Sequence, residues 1–542
     1  SPAAARLRPV YPLTEGITSR QIEGLVACAM EQLLPQLPEV LPEAQRTALQ
    51  LLPRRAALRA VHQPKDLAEA AAARRRLIFE ELFFMQLGLL RLRQSVREKS
   101  APALCGGTGL DFFASLPFAP TKAQLRAAEE GLRDLAKPVP MRRLLQGDVG
   151  SGKTAVAAAL LEQAAQSGWQ AALMAPTELL ARQHCETLAK LFARRSLAPV
   201  LLTGSIPAAQ KRKIKAGLRT GSIPLVVGTH ALLQKDVAFA RLGLAVVDEQ
   251  HRFGVEQRSL LEEAGAGQPS PHVLVMSATP IPRSLALFVF GDLDISVLDE
   301  LPPGRTPVET YAVTSALRAR AYRYVAKHLE QGRQGYVVCP RVEDEGESEL
   351  TAATQFAAQL QADWLRGYSV GLLHGRCKPK QKEEVMRAFA AGEIQLLVST
   401  TVIEVGVDVP NAVIMVIENA ERFGLSQLHQ LRGRVGRGGG RATCILISDA
   451  ENEEARRRLE LMKETNDGFV IAREDLRLRG PGDFFGRRQH GLPQFKLADL
   501  LEDSALLPAA KEAALAVFQE DPSLAAPEHR QLRAEVERMM EA

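Results

Sequence analysis

The sequence predicts an α/β protein with two tandem lobes of parallel sheet, a helical N-terminal segment and a C-terminal helical hairpin and loop. Short apolar runs alternate with longer amphipathic stretches, which is typical of βαβ units. A proline-rich break, LPPGRTP at 301–307, divides this alternation in two. One apolar run leads directly into a Gly-x-x-x-x-Gly-Lys-Thr loop at 147–154. Together these observations indicate a phosphate-binding lobe followed by a second α/β lobe.

Composition excludes several other classes of protein. The chain has 542 residues, of which 46% are hydrophobic and 24% charged, and a net charge of +5. At roughly 100–200 residues per domain, this length predicts three or four domains. Six scattered cysteines without a C-x-x-C pair argue against a zinc ribbon or a disulfide framework. Since we find no signal peptide and no apolar run near about 18 residues, we expect a cytoplasmic protein.

The composition and the hydrophobic pattern change along the chain and indicate five segments. Residues 1–110 are rich in Ala, Leu, Glu and Arg and predict helices. The first lobe covers 111–305 and the second covers 306–450, each with strand-like runs such as GLAVVDE or GYVVCP. Residues 451–500 form a basic hairpin and loop, and residues 501–542 are expected to be terminal helices.

The glycine-rich loop predicts a phosphate site. Gly147, Gly150 and Gly152 allow backbone N–H groups to approach phosphate oxygens that side chains would block. Lys153 supplies a positive charge for the β- and γ-phosphates, and the Thr154 hydroxyl can hold Mg²⁺. The following helix adds the positive end of its dipole. We therefore expect ATP and Mg²⁺ to bind at this loop.

An acidic pair completes the expected hydrolytic site. In GLAVVDEQH, Asp248 and Glu249 directly follow an apolar strand. Asp248 is expected to hold Mg²⁺, and Glu249 to polarise the attacking water. An acidic pair in isolation more often only caps a strand. Its position about 100 residues after a phosphate loop favours nucleoside-triphosphate hydrolysis.

The second lobe carries an arginine–glycine run, QLHQLRGRVGRGGG, with Gln430, Arg434 and Arg437. Arginines delivered from a neighbouring lobe can stabilise transition-state charge, with an effect of roughly 10³–10⁵ in rate. Alone, such a run is more often a solvated loop or a phosphate patch. Because it follows a strand–helix unit of a second α/β lobe, we interpret Arg434 and Arg437 as catalytic fingers.

From about 118 to 440 the chain resembles a superfamily 2 helicase, whose motor consists of two RecA-like lobes. The resemblance is carried by blocks in the family's order: FAPTKAQ, GDVGSGKT, APTELLARQ, LLTGS, VVGTHALL, DEQH, SATPIPRS, LLHGR, STTVIEVGVDVP and QLRGRVGR. It implies a motor that closes on ATP and steps along nucleic acid.

The resemblance also implies residue roles. Positions that match nucleotide-contacting blocks are Thr121, Gln124, Gly406 and Asp408. Positions that match blocks coupling hydrolysis to movement are Ser277, Ala278, Thr279 and Gln430. Positions that match contacts to the nucleic-acid backbone are Thr177, Gly204, Thr229 and Thr400. Hydroxyls and glycine amides at strand ends suit phosphate contacts, but such threonines often only cap helices.

Residues 456–491, RRRLELMKETNDGFVIAREDLRLRGPGDFFGRRQHG, resemble the translocation motif of the RecG family of bacterial branched-DNA helicases. RRRLELMKE and FVIAREDLRLR predict two helices joined by a turn at Asn466-Asp467-Gly468. Gly480-Pro481-Gly482 then ends the second helix. The resemblance implies that Arg458 and Arg479 join the hairpin to its loop. It also implies that Gln489 lies on a loop that moves along duplex DNA.

The resemblance stops short of the family's N-terminal wedge, an OB-fold barrel. No five-strand pattern precedes residue 110, and we expect the chain to begin downstream of that domain. The sequence predicts an ATP-dependent double-stranded-DNA translocase that remodels stalled forks and Holliday junctions. We expect it to act as a monomer and to contact single-stranded-DNA-binding protein. A transcription–repair-coupling-factor-like translocase and a nucleotide-gated clamp that does not step are the alternatives.

Overall fold

The structure is a computed structural model that describes most of the chain. The described residues are 7, 9–12, 16–97, 99–234, 236–248, 269–277, 293–302, 306–340, 349–375, 377–400, 409–479, 495–500 and 502–541. They fall into two compact units. One contains the described residues of Ser1–Glu98 and Arg479–Ala542, and the other those of Lys99–Pro282 and Leu293–Leu478.

Helices and strands alternate through the larger unit, as the sequence predicts. The described α-helices are α1 Ser19–Leu33, α2 Glu43–Ala48, α3 Arg54–His62, α4 Leu67–Arg97, α5 Lys122–Leu135, α6 Lys153–Gln166, α7 Glu178–Leu191, α8 Ala208–Thr220, α9 Arg318–Glu330, α10 Glu349–Asp363, α11 Pro379–Ala390, α12 Leu425–Arg432, α13 Glu453–Glu464, α14 Gly468–Arg479, α15 Leu507–Glu520 and α16 Arg530–Glu541. None of the helices in the described ranges is long and apolar enough to cross a membrane.

The described strands are short, and those inside the two sheets are more deeply buried than those at the sheet edges. They are β1 Arg142–Gly147, β2 Gln170–Met174, β3 Val200–Leu202, β4 Leu225–Gly228, β5 Leu242–Asp248, β6 His272–Ser277, β7 Asp294–Leu298, β8 Glu309–Val313, β9 Gln334–Val338, β10 Val370–Leu373, β11 Leu396–Ser399, β12 Ala412–Ile417 and β13 Thr443–Ile447. Runs of Val, Leu and Ile fit strands covered on both faces by helices.

The smaller unit is helical, as predicted for the N-terminal segment. The long helix α4 packs against α3, α15 and α16. Arg76 on α4 is fully buried and pairs with Glu80 and, at 2.6 Å, with Glu39. Arg54 on α3 contacts Glu80 at 2.9 Å and Glu535 at 2.8 Å. Burial raises the pKa of Glu80 even though two arginines lower it. This ionic network joins α3, α4 and α16.

The first sheet of the larger unit has the strand order β3-β4-β2-β5-β6-β1-β7, and all of its pairs are parallel. β5, β6 and β1 run parallel and side by side, so the phosphate loop after β1 and the acid at the end of β5 share one edge of the sheet. In open α/β sheets, ligands bind beyond the carboxyl ends of the strands. The topology therefore brings the predicted nucleotide residues together.

The second sheet repeats this plan. Its order is β10-β11-β9-β12-β13-β8, again with parallel pairs. β8 and β12 occupy the places that β1 and β5 hold in the first sheet. Two RecA-like lobes of parallel sheet confirm the predicted fold class.

The predicted hairpin is present as α13 and α14, separated by residues 465–467. Leu459, Met462 and Ile471 of the hairpin are buried in the same apolar cluster as Leu428 and Leu446 of lobe 2. The hairpin is thus continuous with the core of lobe 2. The loop at 480–494 lies outside the described residues.

Candidate nucleotide site and its link to the hairpin

The phosphate loop begins where β1 ends, and α6 starts at Lys153. Gly150 and Gly152 have φ angles of +77° and +85°, a region that side-chain-bearing residues rarely adopt. A Cβ built on Gly152 would lie 2.1 Å from Nε2 of Gln124. Only glycine fits there, so the backbone stays accessible to a bound phosphate as predicted for such loops.

Lys153 lies across the loop. Its Nζ donates hydrogen bonds to the carbonyl oxygens of Gly147 at 2.7 Å and Asp148 at 2.9 Å. Ser151 is fully buried, and its Oγ has no hydrogen-bond partner among the described residues. Thr154 follows Lys153 in the first turn of α6. The loop therefore holds a cation, a hydroxyl and backbone amides close together.

Thr121 and Gln124, predicted to contact the nucleotide, brace the phosphate loop. Each donates its backbone N–H to the other's side chain, at 3.0 and 3.1 Å, forming a capping box at the start of α5. Nε2 of Gln124 also donates to the carbonyl of Ser151 at 2.8 Å. Gln124 is 1% exposed. Contact of these two residues with the nucleotide stays a prediction.

Asp248 is the last residue of β5 and is nearly buried. Nε2 of His184, on α7, lies 2.7 Å from its Oδ2. His184 is not among the residues predicted from the sequence. A signal was available, because Ala181 and Leu188, three residues before it and four after, are fully buried and mark one face of the helix. A polar side chain on that face needs a buried partner, and Asp248 provides it.

Several predicted site residues lie outside what the structure describes. They are Glu249, Ala278, Thr279, Gly406, Asp408 and Gln489, together with the side chain of Arg479. Ser277, by contrast, ends β6 and is 4% exposed. It is in register with Gln146 on β1, so it lies beside the start of the phosphate loop.

The predicted backbone-contacting residues of lobe 1 have local partners. Oγ1 of Thr177 caps α7 by accepting from the N–H of Leu180 at 3.3 Å. Oγ1 of Thr229 accepts from the N–H of Ala231 at 3.5 Å. The carbonyl of Gly204 accepts from Nζ of Lys211 at 2.5 Å. The capping alternative therefore describes both threonines in this structure, and contact with nucleic acid stays a prediction.

Thr400 follows β11 in lobe 2. Its N–H donates to the carbonyl of Leu373 at 3.2 Å, which extends the ladder between β10 and β11. Its Oγ1 is buried and has no hydrogen-bond partner in the part of the chain that the structure describes. A buried hydroxyl of this kind could serve a ligand, and its predicted role is unchanged.

The arginine–glycine run of lobe 2 reaches the phosphate loop. A Cβ built on Gly433 would lie 3.1 Å from Cβ of Val149, within that loop. Nε of Arg437 donates to the carbonyl of Gly433 at 3.1 Å, and Gln430, Arg434 and Arg437 are all partly exposed. The structure therefore brings this run to the nucleotide edge of lobe 1, as an arginine-finger role requires.

Two further residues connect the phosphate loop to the hairpin, and neither is among the site residues predicted from the sequence. Nε2 of His429 lies 2.7 Å from Oδ1 of Asp148 in the loop. Nη2 of Arg432 donates to Nδ1 of His429 at 3.0 Å. Because Nδ1 accepts, the proton of a neutral His429 is on Nε2, where it donates to Asp148.

Arg432 continues this connection. Its Nη1 donates to the carbonyls of Met462 at 2.7 Å and Thr465 at 2.9 Å, at the C-terminal end of α13. The side chain is deeply buried, and burial lowers the pKa of its guanidinium. A cation at a helix C-terminus is favoured by the helix dipole. One arginine thus links the histidine that touches the phosphate loop to the hairpin.

Two other contacts fix the hairpin on lobe 2. Oγ of Ser426, on α12, donates to Oδ2 of the buried Asp475 on α14 at 2.5 Å. Nη2 of Arg458 donates to the carbonyl of Glu421 at 3.1 Å, while its Nε is buried without a partner among the described residues. Arg458 therefore anchors α13 to lobe 2, and its predicted link to the following loop stays a prediction.

Family models match most of the chain. A DEAD/DEAH box helicase model matches residues 121–288, and a helicase conserved C-terminal domain matches 318–439. The C-terminal part of domain 3 of the ATP-dependent DNA helicase RecG matches 465–542. With the two lobes and the phosphate loop, these matches define a two-lobed P-loop nucleoside triphosphatase of the helicase class.

Comparison with known proteins narrows the class. The chain is 49% identical over 524 residues to the ATP-dependent DNA helicase RecG of Synechocystis, covering 96% of this chain and 63% of that protein. It is 45% identical to RecG of Bacillus subtilis, covering 98% of this chain and 78% of that protein. A solved structure of RecG bound to a three-way DNA junction matches with a TM-score of 0.73 and 42% identity, covering 93% of this chain and 66% of that one. The chain belongs to the family of ATP-dependent DNA helicases RecG.

Proposed function

We propose that this chain is an ATP-dependent translocase on double-stranded DNA that remodels branched DNA, including stalled forks and Holliday junctions, in recombination and repair. The chain spans 63% of the length of the Synechocystis relative, and we infer that this span contains the motor. The solved relative is described as bound to a three-way DNA junction. The observation that carries the proposal is the contact of Arg432 with both His429 and the end of α13.

ATP and Mg²⁺ are the expected ligands of the phosphate loop, and the residues there fit them. The positive φ angles of Gly150 and Gly152 form a backbone cradle that a Cβ would fill. Asp248 and Thr154 supply the carboxylate and hydroxyl oxygens that suit Mg²⁺. Bound Mg²⁺ would neutralise charge that develops on the phosphoryl oxygens. Lys153 would bind the β- and γ-phosphates.

The remaining chemistry is assigned to residues of this chain. Glu249 is proposed to orient the attacking water, and Arg434 and Arg437 to stabilise charge from lobe 2. The proximity of Gly433 to Val149 supports that assignment, because it brings the arginine run to the phosphate loop. We assign coupling of hydrolysis to movement to Ser277, Ala278, Thr279 and Gln430.

Movement is proposed to pass from nucleotide to DNA through α12. His429 contacts the phosphate loop, Arg432 holds the end of α13, and Ser426 holds α14. A shift of α12 on ATP binding would therefore carry the hairpin with it. Arg479, at the end of α14, would join the hairpin to the loop that follows, and Gln489 on that loop would then push on the duplex.

A substitution at Gln489 tests this lever. Gln489→Ala should retain DNA-stimulated ATP hydrolysis within about threefold, since it lies far from the phosphate loop in the sequence, but lose at least roughly tenfold in strand displacement from a DNA triplex. Gln331→Ala, at an exposed position after α9, is the matched control and should change neither rate. Triplex displacement at the wild-type rate by Gln489→Ala would overturn the lever.

The same assay separates a motor from a clamp, because only a stepping protein removes the third strand in an ATP-dependent way. We further infer a cytoplasmic location, since these relatives are bacterial proteins. A monomeric state and contact with single-stranded-DNA-binding protein stay predictions from the sequence.

A further inference from the structure

Helix α7 contacts both the predicted metal-binding acid and lobe 2. His184 lies 2.7 Å from Oδ2 of Asp248, and each of the two side chains is 12% exposed. Leu179 packs against the apolar cluster of lobe 2. Nη2 of Arg182 lies 3.2 Å from Oε1 of Glu383, on α11. One helix therefore touches lobe 2 on one side and the acid on another.

The contact with Asp248 has the form of a supporting interaction at a metal site. Carboxylates that bind metals are commonly held by hydrogen bonds from neighbouring residues, which fix their orientation. His184 reaches one carboxylate oxygen through a single ring nitrogen. Ala181 and Leu188, about one turn before and after His184, are fully buried, so this face of α7 is packed against the lobe.

The contacts of Leu179 and Arg182 with lobe 2 make the position of α7 depend on that lobe. Leu179 and Arg182 are three residues apart and so lie on neighbouring positions of one helix face. His184 is two residues beyond Arg182 and points to a different face. A displacement of lobe 2 that moves Leu179 would therefore move His184 as part of the same rigid helix.

We propose that His184 is a positioning residue, which orients the carboxylate of Asp248 for Mg²⁺ and makes this orientation depend on lobe 2 through α7. The proposal rests on the proposed nucleotide site and extends it by a residue that acts through Asp248. Lobe closure would then improve metal binding as well as deliver arginines.

A pair of substitutions separates positioning from packing. His184→Gln places its amide nitrogen near the position of Nε2 and should keep the hydrogen bond. His184→Asn is shorter and should lose it, with little change in polarity. Mn²⁺ binding, measured by electron paramagnetic resonance on the full chain with ADP, should weaken roughly 10–100-fold in His184→Asn and no more than about threefold in His184→Gln.

Equal Mn²⁺ affinity in His184→Asn and the wild type would overturn the positioning role. Equal losses in both variants would also overturn it, since they would indicate packing alone. The thermal unfolding midpoint of each variant serves as the folding control. This readout needs no turnover, so its failure differs from a failure of the proposed function, which would appear as wild-type protein without DNA-stimulated hydrolysis.

The link to lobe 2 has its own test. Leu179→Ala, with His184 intact, should weaken Mn²⁺ binding roughly fivefold, at the lower end of typical coupling between sites. Arg182→Gln is the matched control on the same helix face, because a half-exposed ion pair contributes little. Unchanged Mn²⁺ affinity in Leu179→Ala would overturn the dependence on lobe 2.

Discussion

The two lobes share a strand order but differ at equivalent positions. In lobe 1, Lys153 opens the helix after β1 and Asp248 ends β5. In lobe 2, Arg318 opens the helix after β8 and Glu418 directly follows β12. Arg318 binds Glu418 through Nη2 at 2.9 Å and through Nε at 3.2 Å. The cation and the acid of lobe 2 therefore satisfy each other.

The loops before Lys153 and Arg318 also differ in whether their backbone N–H groups are available to a ligand. Lobe 1 has two glycines with positive φ, so its backbone amides face outward to a ligand. Lobe 2 has no glycine at 314–317, and Oδ1 of Asp449 accepts from the N–H of Ser315 at 2.8 Å. In lobe 2 a carboxylate of the chain itself therefore accepts from a backbone N–H of this loop. The same fold therefore gives two outcomes. Where the cation and the acid at the sheet edge bind each other, as in lobe 2, they form a structural ion pair. Where they do not, as in lobe 1, they are available to a ligand.

The largest effect is expected from a substitution in the phosphate loop of lobe 1. Lys153→Ala should reduce DNA-stimulated ATP hydrolysis about 10³-fold, close to 4 kcal/mol of transition-state stabilisation. The reason is that the loop would lose its cation for the β- and γ-phosphates. Phosphate release measures the rate, and an unchanged thermal midpoint shows that the fold is intact. Turnover within tenfold of wild type would contradict the assignment.

The next largest effect is expected from breaking the ion pair between Arg318 and Glu418 in lobe 2. Arg318→Ala should destabilise lobe 2 by about 3 kcal/mol, because Glu418, which is 3% exposed, would be left buried without its cation. This value is at the low end for buried pairs because the side chain of Arg318 is 35% exposed. Hydrogen exchange of β12 amides measures the loss. The double variant Arg318→Met with Glu418→Gln removes the buried charge but keeps an acceptor for the Tyr322 hydroxyl, so it should recover most of the loss, and no recovery would contradict this account.

A smaller effect is expected from removing the contact between Arg432 of lobe 2 and the hairpin. Arg432→Met removes the donor to Met462 and Thr465 and should cost about 1–3 kcal/mol, the penalty for unsatisfied buried groups. Triplex displacement should fall more than ATP hydrolysis does, since the nucleotide residues remain. Arg441→Met, at an exposed position, is the control. Equal loss of both activities would indicate that Arg432 serves hydrolysis and not coupling.

The smallest effect concerns the pair between Arg182 and Glu383, whose side chains are 44% and 42% exposed. Arg182→Gln should change stability by at most about 0.5 kcal/mol, because water screens exposed ion pairs. ATP hydrolysis should stay close to the wild-type rate at low and high salt. A strong salt-dependent loss would show that this pair, and not Leu179, connects α7 to lobe 2.

Local patterns in the sequence predicted the two sheets, the phosphate loop, Asp248 and the hairpin, because each depends on neighbouring residues. The contacts of His184, Arg432 and Arg318 could not be predicted this way. Their partners lie 64, 30 and 100 residues distant in sequence, and only the packing of helices and strands in the folded chain brings them together. Thr177 shows that a local pattern can also be ambiguous. Its position fitted both a nucleic-acid contact and a helix cap, and in the structure its hydroxyl caps α7.

Displacement of the third strand from a linear DNA triplex tests the central claim most directly, because it requires hydrolysis at lobe 1 to move duplex DNA. We predict displacement with ATP and none with a non-hydrolysable analogue. ATP hydrolysis stimulated by the duplex, without any displacement of the third strand, would contradict the proposed coupling through Arg432.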